Sequence, residues 1–406
     1  MRNASVVLFL IGAAVLWCAC GLGATERPEP AAEVEPVIEL LPVERKPLVQ
    51  MAILLDTSGS MSGLIDQART ELWSIVNEFI FAKRNGLQPE VQVALYEYGK
   101  STLARDEGYI RQIVPLTTDL DKISEELFAL KTNGGDEYCG WVIRDATNGL
   151  QWTDSPDDLK VIFIAGNEPF TQGPVDYKEA CKAAVAKGII VNTIHCGGEG
   201  QGIDGKWKDG AVLADGRFLN IDQNRQVVHI PAPQDREIAE LGVRLNATYI
   251  PYGRLGAPSR ERQAVQDRNA QQASPEASVQ RAVAKSSANY VNTGWDLVDA
   301  VRADQVDLAE LEGDALPENM RQMDAAERQA YVEEQAKTRA AIQAQIQQLN
   351  EQRRKYVAEE MTKLTKGGQT LGSAVKQAIR EQARKRSFTF ESQETPAQAV
   401  EESPEK

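Results

Sequence analysis

Residues 51–63 read MAILLDTSGSMSG. The apolar run Met51–Leu55 is a strand of the kind that is buried in a sheet, and Asp56-x-Ser58-x-Ser60 follows it at once. Beyond Gly63 the apolar residues recur at helical spacing, so the segment predicts strand, tight loop, helix. One carboxylate and two hydroxyls are thereby set at the carboxyl end of a strand, where open α/β sheets keep their sites. Hard oxygen donors of this type suit Mg²⁺, Mn²⁺ or Ca²⁺. The same Ser and Gly residues would also make a turn that caps the next helix.

Working outward, the chain alternates. A helix is predicted over Leu64–Arg84, with Leu64, Ala68, Leu72, Ile75, Val76, Phe79 and Ile80 on one side. Strands are predicted at Val91–Tyr98, Ile110–Pro115, Val161–Ala165, Ile189–His195 and Arg217–Ile221, and helices at Asp119–Lys131, Tyr138–Trp152 and Val175–Lys187. VIFIA (161–165) is continuously apolar, as in a parallel strand covered on both faces. Gly197–Gly216 reads as a glycine-rich loop containing Trp207. The fold class is α/β: a doubly wound, mostly parallel sheet, followed by a helical, weakly coiled-coil extension.

This arrangement, with its Asp-x-Ser-x-Ser motif, resembles von Willebrand factor A domains, whose metal-ion-dependent adhesion site carries that motif. The resemblance covers roughly Leu48 to Asp222 and extends towards Tyr252, under half of the chain, and the domain is set at residues 48–253. TNGGDEYCG (132–140), FIAGNEPFTQG (163–173) and LNATYIPYG (245–253) are similar to segments of exported bacterial proteins with this domain. The resemblance implies that Ser58 and Ser60 ligate a divalent cation directly and that Asp56 acts mostly through water. Mg²⁺ is expected first, with Mn²⁺ or Ca²⁺ as alternatives.

Two positions depart from the family pattern. Where the second loop normally carries a threonine, this chain has Asp136 and Glu137. A carboxylate there adds charge and favours Ca²⁺ or Mn²⁺; alternatively both acids cap the following helix. In the third loop Gly166 stands where the family places an aspartate, leaving Asn167 and Glu168 to supply oxygen atoms from shifted positions. Tyr138, Trp141, Phe170 and Trp207 are candidates for the rim of a partner-binding face, although aromatic residues at such spacing also serve as core.

The N-terminus, with Arg2, an apolar run from Val6 to Trp17 and small residues up to Ala24, has the pattern of a signal peptide over residues 1–24. The mature chain is therefore expected to be periplasmic, cell-surface or secreted. Contact with a membrane would be limited to the signal peptide or a lipid on Cys20. The 406 residues carry a net charge of −14, and loss of residues 1–24, whose one charge is Arg2, takes it to −15. Such an acid balance excludes nucleic acid as a partner.

Residues 25–47 hold five prolines and six glutamates and read as an extended linker. Residues 254–322 form a Gln/Ala-rich linker, flexible or marginally helical over Ala257–Asn289, with a short amphipathic piece at Trp295–Val301 that could dock on the globular domain. A long helix at 323–366 either self-associates or folds back on its own chain, since Ile342, Ile346 and Leu349 keep a 3-4 spacing that does not persist. Gly367-Gly368 breaks it, residues 367–390 supply a basic helix and a short extended segment, and 391–406 are an acidic tail expected to be disordered.

Cys139, Cys181 and Cys196 are left in a disulfide-permissive compartment; three pairings are open, with Cys181–Cys196 slightly favoured by proximity in sequence. Two histidines and no C-x-x-C argue against zinc. The expected function is recognition of a protein partner at the cell envelope, the ion accepting an acidic side chain. A metal-independent scaffold is the alternative. A hydrolase would need His195 and the strand-edge serines, but Met61 occupies the nucleophile's place in GSMSG, so no enzyme is expected.

Overall fold

A computed structural model describes residues 45–222, 229–363 and 371–390. The predicted signal peptide, residues 25–44 of the linker, the Gly367-Gly368 break and the acidic tail lie outside the described residues. The strands are β1 (Leu48–Asp56), β2 (Ala82–Lys83), β3 (Glu90–Tyr98), β4 (Ile110–Thr117), β5 (Leu159–Gly166), β6 (Ile190–Cys196), β7 (Phe218–Ile221) and β8 (Thr389–Phe390). The main sheet has the order β4-β3-β1-β5-β6-β7, parallel except for the antiparallel edge strand β4. It is the expected doubly wound α/β sheet.

Alternation along the strands assigns the two faces. Val49, Met51 and Leu55 of β1 lie on one face with Val93 and Leu95 of β3 and Val161 and Phe163 of β5. This face is covered by α1 (Ser62–Asn77) and α2 (Leu120–Ala129). Ala52 and Leu54 lie on the other face, with Tyr96, Tyr98, Ile162 and Ile164. It is covered by α3 (Cys139–Gly149), α4 (Tyr177–Ala186) and two short helices, α5 (Glu199–Asp204) and α6 (Trp207–Leu213). The glycine-rich stretch 197–216 is thus largely helical, not a loop: its tryptophan and Ala211 are drawn into the core.

The remaining helices are α7 (Asp235–Asn246), α8 (Gly253–Ala273), α9 (Pro275–Lys285), α10 (Leu297–Arg302), α11 (Ala325–Lys363) and α12 (Leu371–Lys385). Residues 257–289, expected to be flexible or marginally helical, instead form α8 and α9, which pack on α1 and α2. They do so with few large apolar residues because a buried polar network replaces them. Arg281 pairs with Asp121 and Asp267, lies 4.4 Å from the Trp73 ring centroid, and shares Asp267 with Lys285. Helix α1 is buried nearly all round: Asn77 bonds Gln280 of α9, while Gln67, Glu71 and Ser74 are enclosed against the C-terminal residues Leu371, Gly372 and Lys376.

Two further expectations need correction, and one alternative is decided. The helix predicted to reach Arg84 ends at Asn77 and passes through a 3₁₀ turn into β2, because Ala82 and Lys83 pair antiparallel with β8 from the far end of the chain. Of the two alternatives for the long helix α11, folding back on its own chain is the one seen: Val332, Ile342 and Ile346 are buried within the chain, the latter two against α7 and α9 residues. The favoured disulfide is absent. Cys139, Cys181 and Cys196 are free and buried, and Cys181 lies in the core on the α3–α4 face while Cys196 lies on the α1 face, so the sheet separates them. The amphipathic piece at 295–301 does dock, through Trp295, Leu297 and Val298.

The closing helix of the α1 face comes from the C-terminus. Leu371, Ala374, Val375, Ala378 and Ile379 of α12 are buried in the same cluster as Met51, Leu72 and Phe163. Among the described residues no helix is long and apolar enough to cross a membrane.

Candidate metal centre

Strand β1 delivers Asp56 to the carboxyl edge of the sheet, fully buried. Its Oδ1 accepts a 2.7 Å hydrogen bond from the Ser58 amide, which folds the loop back over the carboxylate. Its Oδ2 is buried without a hydrogen-bond partner. The Ser58 and Ser60 hydroxyl oxygens stand 3.4 Å apart. Helix α1 starts two residues later, with Met61 buried as its first anchor.

The second loop brings Glu137 in, nearly fully buried, and its amide donates to Gln172 Oε1 at 2.6 Å. Gly99 makes that approach feasible. A β-carbon there would stand 2.8 Å from Glu137 Cγ and 2.9 Å from Asp56 Oδ1, and its φ of +80° favours glycine independently. Asp136, in contrast, is exposed and accepts from the Tyr138 hydroxyl at 3.2 Å. Neither acid is a side-chain cap of α3, which has none.

The third loop is closed where the family has an aspartate. A β-carbon on Gly166 would lie 2.6 Å from the Tyr98 hydroxyl and 3.1 Å from Asp56 Oδ2. Tyr98, opposite Asp56 in the β1–β3 register, fills that space and donates to Ala165 O at 3.0 Å. Asn167 is half-buried, with a buried Oδ1 that has no partner, and Glu168 is half-buried.

These groups are electrostatically uncompensated. Burial pushes the Asp56 carboxyl up to about 7, against the hydrogen bonds from Ser58, and Glu168 adds to the rise. Burial, followed by the neighbouring Asp56 and Glu168, pushes Glu137 up to about 8, against hydrogen bonding from Ser58. No Lys or Arg is among the main contributors to either shift. Among the described residues, no three His, Cys, Asp or Glu side chains converge closely enough to hold an ion by themselves. An ion here would need hydroxyl and amide oxygens as well; Asp56 Oδ2 and Asn167 Oδ1 are buried without partners, and the Ser58 and Ser60 hydroxyls lie on the loop that follows Asp56, all hard oxygen donors. The residues present fit a divalent cation.

The aromatic candidates divide. Tyr138 and Trp141 are half-buried and stacked, with centroids 6.2 Å apart; Tyr109 meets Tyr138 edge-on, and Arg144 lies over Trp141. Phe170 and Trp207 are core, not rim. They pack together at 4.9 Å, and the Trp207 indole donates to Glu168 O at 2.8 Å, so it supports the third loop from below. His195 is buried, its Nδ1 is 3.0 Å from Asn220 Oδ1, and its ring packs on Trp207. Sequence reasoning missed Tyr98, Gly99 and Glu97. Glu97 had a signal: in VQVALYEY it falls on the inward parity of Val91, Val93 and Leu95.

No family model matches the sequence, and no curated protein is significantly similar to it. Among solved structures, the conserved hypothetical protein BatB from Bacteroides thetaiotaomicron is 17% identical over 43% of this chain and 90% of its own, with a TM-score of 0.33. The SpRpn10 VWA domain is 18% identical over 44% of this chain and 90% of its own, at 0.34. Proximal thread matrix protein 1 from the mussel byssus, in a structure with a zinc-occupied MIDAS motif, is 12% identical over 44% of this chain and 43% of its own, also at 0.34. The fold assignment rests on this chain's own strand order and on the place of Asp56, Ser58 and Ser60 at the carboxyl edge. On those grounds the sheet domain is von Willebrand factor A-like.

Proposed function

We propose that this chain is an exported protein-recognition module that engages a partner through a divalent ion held at Asp56, Ser58 and Ser60, with Glu137, Asn167 and Glu168 around it. The observation that carries the reading is the buried, unpartnered Oδ2 of Asp56. A buried polar atom without a hydrogen bond is costly, and here its carboxyl is pushed up further by the charge of Glu168 and in turn raises Glu137. When bound, a divalent ion would supply a Lewis-acidic position for an oxygen atom of the partner, an acidic side chain by preference. Around it, the half-exposed Tyr138–Trp141 stack offers contact area of the type that carries interface energy. Export is supported by the N-terminal sequence pattern alone.

The reading is non-catalytic. Among the described residues His195 hydrogen-bonds Asn220 and no serine. A metal-independent scaffold is the second reading, favoured by the closure of the third loop at Gly166.

Calorimetric titration of Mg²⁺, Mn²⁺ and Ca²⁺ into chelator-stripped protein separates the two. The proposal expects saturable one-site binding that is lost in the Asp56→Ala, Ser58→Ala double variant. Absence of binding to folded wild type would leave the scaffold.

A further inference from the structure

Thr57, the residue between Asp56 and Ser58, belongs to no ligand set, yet it makes more contacts across the sheet edge than its neighbours do. Its amide donates to Tyr98 O at 2.8 Å, and its carbonyl accepts from Asn133 N at 2.9 Å. The first contact ties the loop to β3. The second ties it to the loop that carries Glu137. Its hydroxyl lies 3.3 Å from Glu97 Oε2 and 3.2 Å from Tyr98 O. Glu97 is fully buried, one residue before Tyr98 on β3, and its charge is met by Arg111 at 2.5 Å, its register partner on β4, and by Lys100 at 3.6 Å.

We propose that Glu97 is a positioning residue for the ion site: by fixing the Thr57 hydroxyl it sets the angle at which Ser58, Ser60 and the Glu137 loop meet. This rests on the ion-binding reading above. A carboxylate placed on the apolar parity of a strand, between two cations, is expensive to bury unless paired. Arg111 and Lys100 pair with its charge, and Oε2 is the oxygen that faces Thr57. What remains for it to do is accept from Thr57. The Thr57 hydroxyl shares its one proton between Glu97 Oε2 and Tyr98 O, and branching at the β-carbon already restricts χ1, so the side chain is held in one rotamer. A side chain anchored there fixes Thr57 against β3, where its amide donates to Tyr98 O and its carbonyl accepts from Asn133 N. Ligand positions that are held in advance bind more tightly than ones that must be ordered on binding.

The test uses the full chain and four proteins: wild type, Thr57→Val, Thr57→Ser and Glu97→Gln, with the Thr57→Val, Glu97→Gln double variant to close a cycle. Valine keeps the branched shape without the hydroxyl, and glutamine keeps the length while removing the charge and turning one of the two acceptor oxygens into a donor. The first readout needs no ion: amide hydrogen exchange at Ser58 and Asn133. Thr57→Val should speed both by about tenfold, the size of one lost hydrogen bond, while Thr57→Ser stays within about twofold. The second is Mg²⁺ or Ca²⁺ affinity. It should fall about tenfold in Thr57→Val and severalfold in Glu97→Gln alone, and Glu97→Gln should have no further effect in the Thr57→Val background, because both act through one contact.

A structural role alone would lower the unfolding midpoint and leave affinity and local exchange in place. Unchanged exchange at Asn133 in Thr57→Val would overturn the proposal, as would additive effects of the two substitutions. If wild type binds no ion, the proposed function fails, and the exchange readout still decides whether Glu97 and Thr57 set the loop.

Discussion

The side-chain amides of Asn192 and Gln382 exchange two hydrogen bonds, Asn192 Nδ2 to Gln382 Oε1 at 3.0 Å and Gln382 Nε2 to Asn192 Oδ1 at 2.6 Å. Both are buried, and Asn192 Oδ1 also accepts from the Arg217 amide. A strand in the middle of the sheet is thus matched to a helix 190 residues later in the chain. The von Willebrand factor A-like domain is closed by α12, with the α7–α11 helices entering between β7 and that closure.

Gln382→Ala should therefore behave as a core substitution. It strands a buried asparagine, and an unsatisfied buried polar group costs about 1–3 kcal/mol. Urea unfolding should show a lower midpoint with an unchanged slope. A chain ending before Leu371 should lose cooperative unfolding, since it bares the apolar face that α12 covers. A truncated chain with the wild-type midpoint would show that α12 is dispensable.

Gly166 and Tyr98 should be coupled. Adding a methyl group at Gly166→Ala drives it towards the Tyr98 hydroxyl, and overpacking of this kind costs about 1–3 kcal/mol. Tyr98→Phe removes the atom in the way. The double variant should be more stable than the sum of the single variants allows, by about 1 kcal/mol. Simple additivity would mean that the two residues do not compete for the same space.

The ion-free protein should lose stability as pH rises. Asp56 and Glu137 have folded pKa values raised to about 7 and about 8 from ordinary values of 3.8 and 4.5. A raised carboxyl binds more protons folded than unfolded, so its contribution is complete at low pH and declines as pH rises from about 4 through about 7 to 8. A cation at the site competes with those protons, so its affinity should increase over the same upper range. Asp56→Asn should flatten the stability profile. An equal decline in that variant would assign the effect elsewhere.

The opposite sign applies to the helical extension. Burial alone would raise Asp267, but Arg281 and Lys285 outweigh it and hold it at about 2. Its contribution is present above pH 4 and is lost as pH falls towards 2. Arg281→Met leaves Asp121 and Asp267 without that partner and should cost about 3–5 kcal/mol. Thermal unfolding at neutral pH measures this, and a loss under about 1 kcal/mol would show that the network is replaceable.

Much of this protein is local and was legible in residue order. The apolar run before Asp56, the 3.6-residue stripe of α1 and the inward parity of VIFIA follow from the geometry of neighbouring residues, which periodicity reports directly. These features determined the α/β class and put Asp56, Ser58 and Ser60 at one strand end. Tertiary structure decided the rest, because burial depends on residues far away in sequence. Trp207 and Phe170 are core because α6 folds onto β6, and α1 is buried nearly all round because α9, with Arg281 over Trp73, packs on it and α12 from the far end of the chain covers Gln67, Glu71 and Ser74. Cys181 and Cys196, close in sequence, are parted by the sheet. Whether an aspartate is missing at Gly166 or excluded from it is likewise a matter of packing: the space belongs to Tyr98, whose claim on it is visible only once β3 lies beside β1.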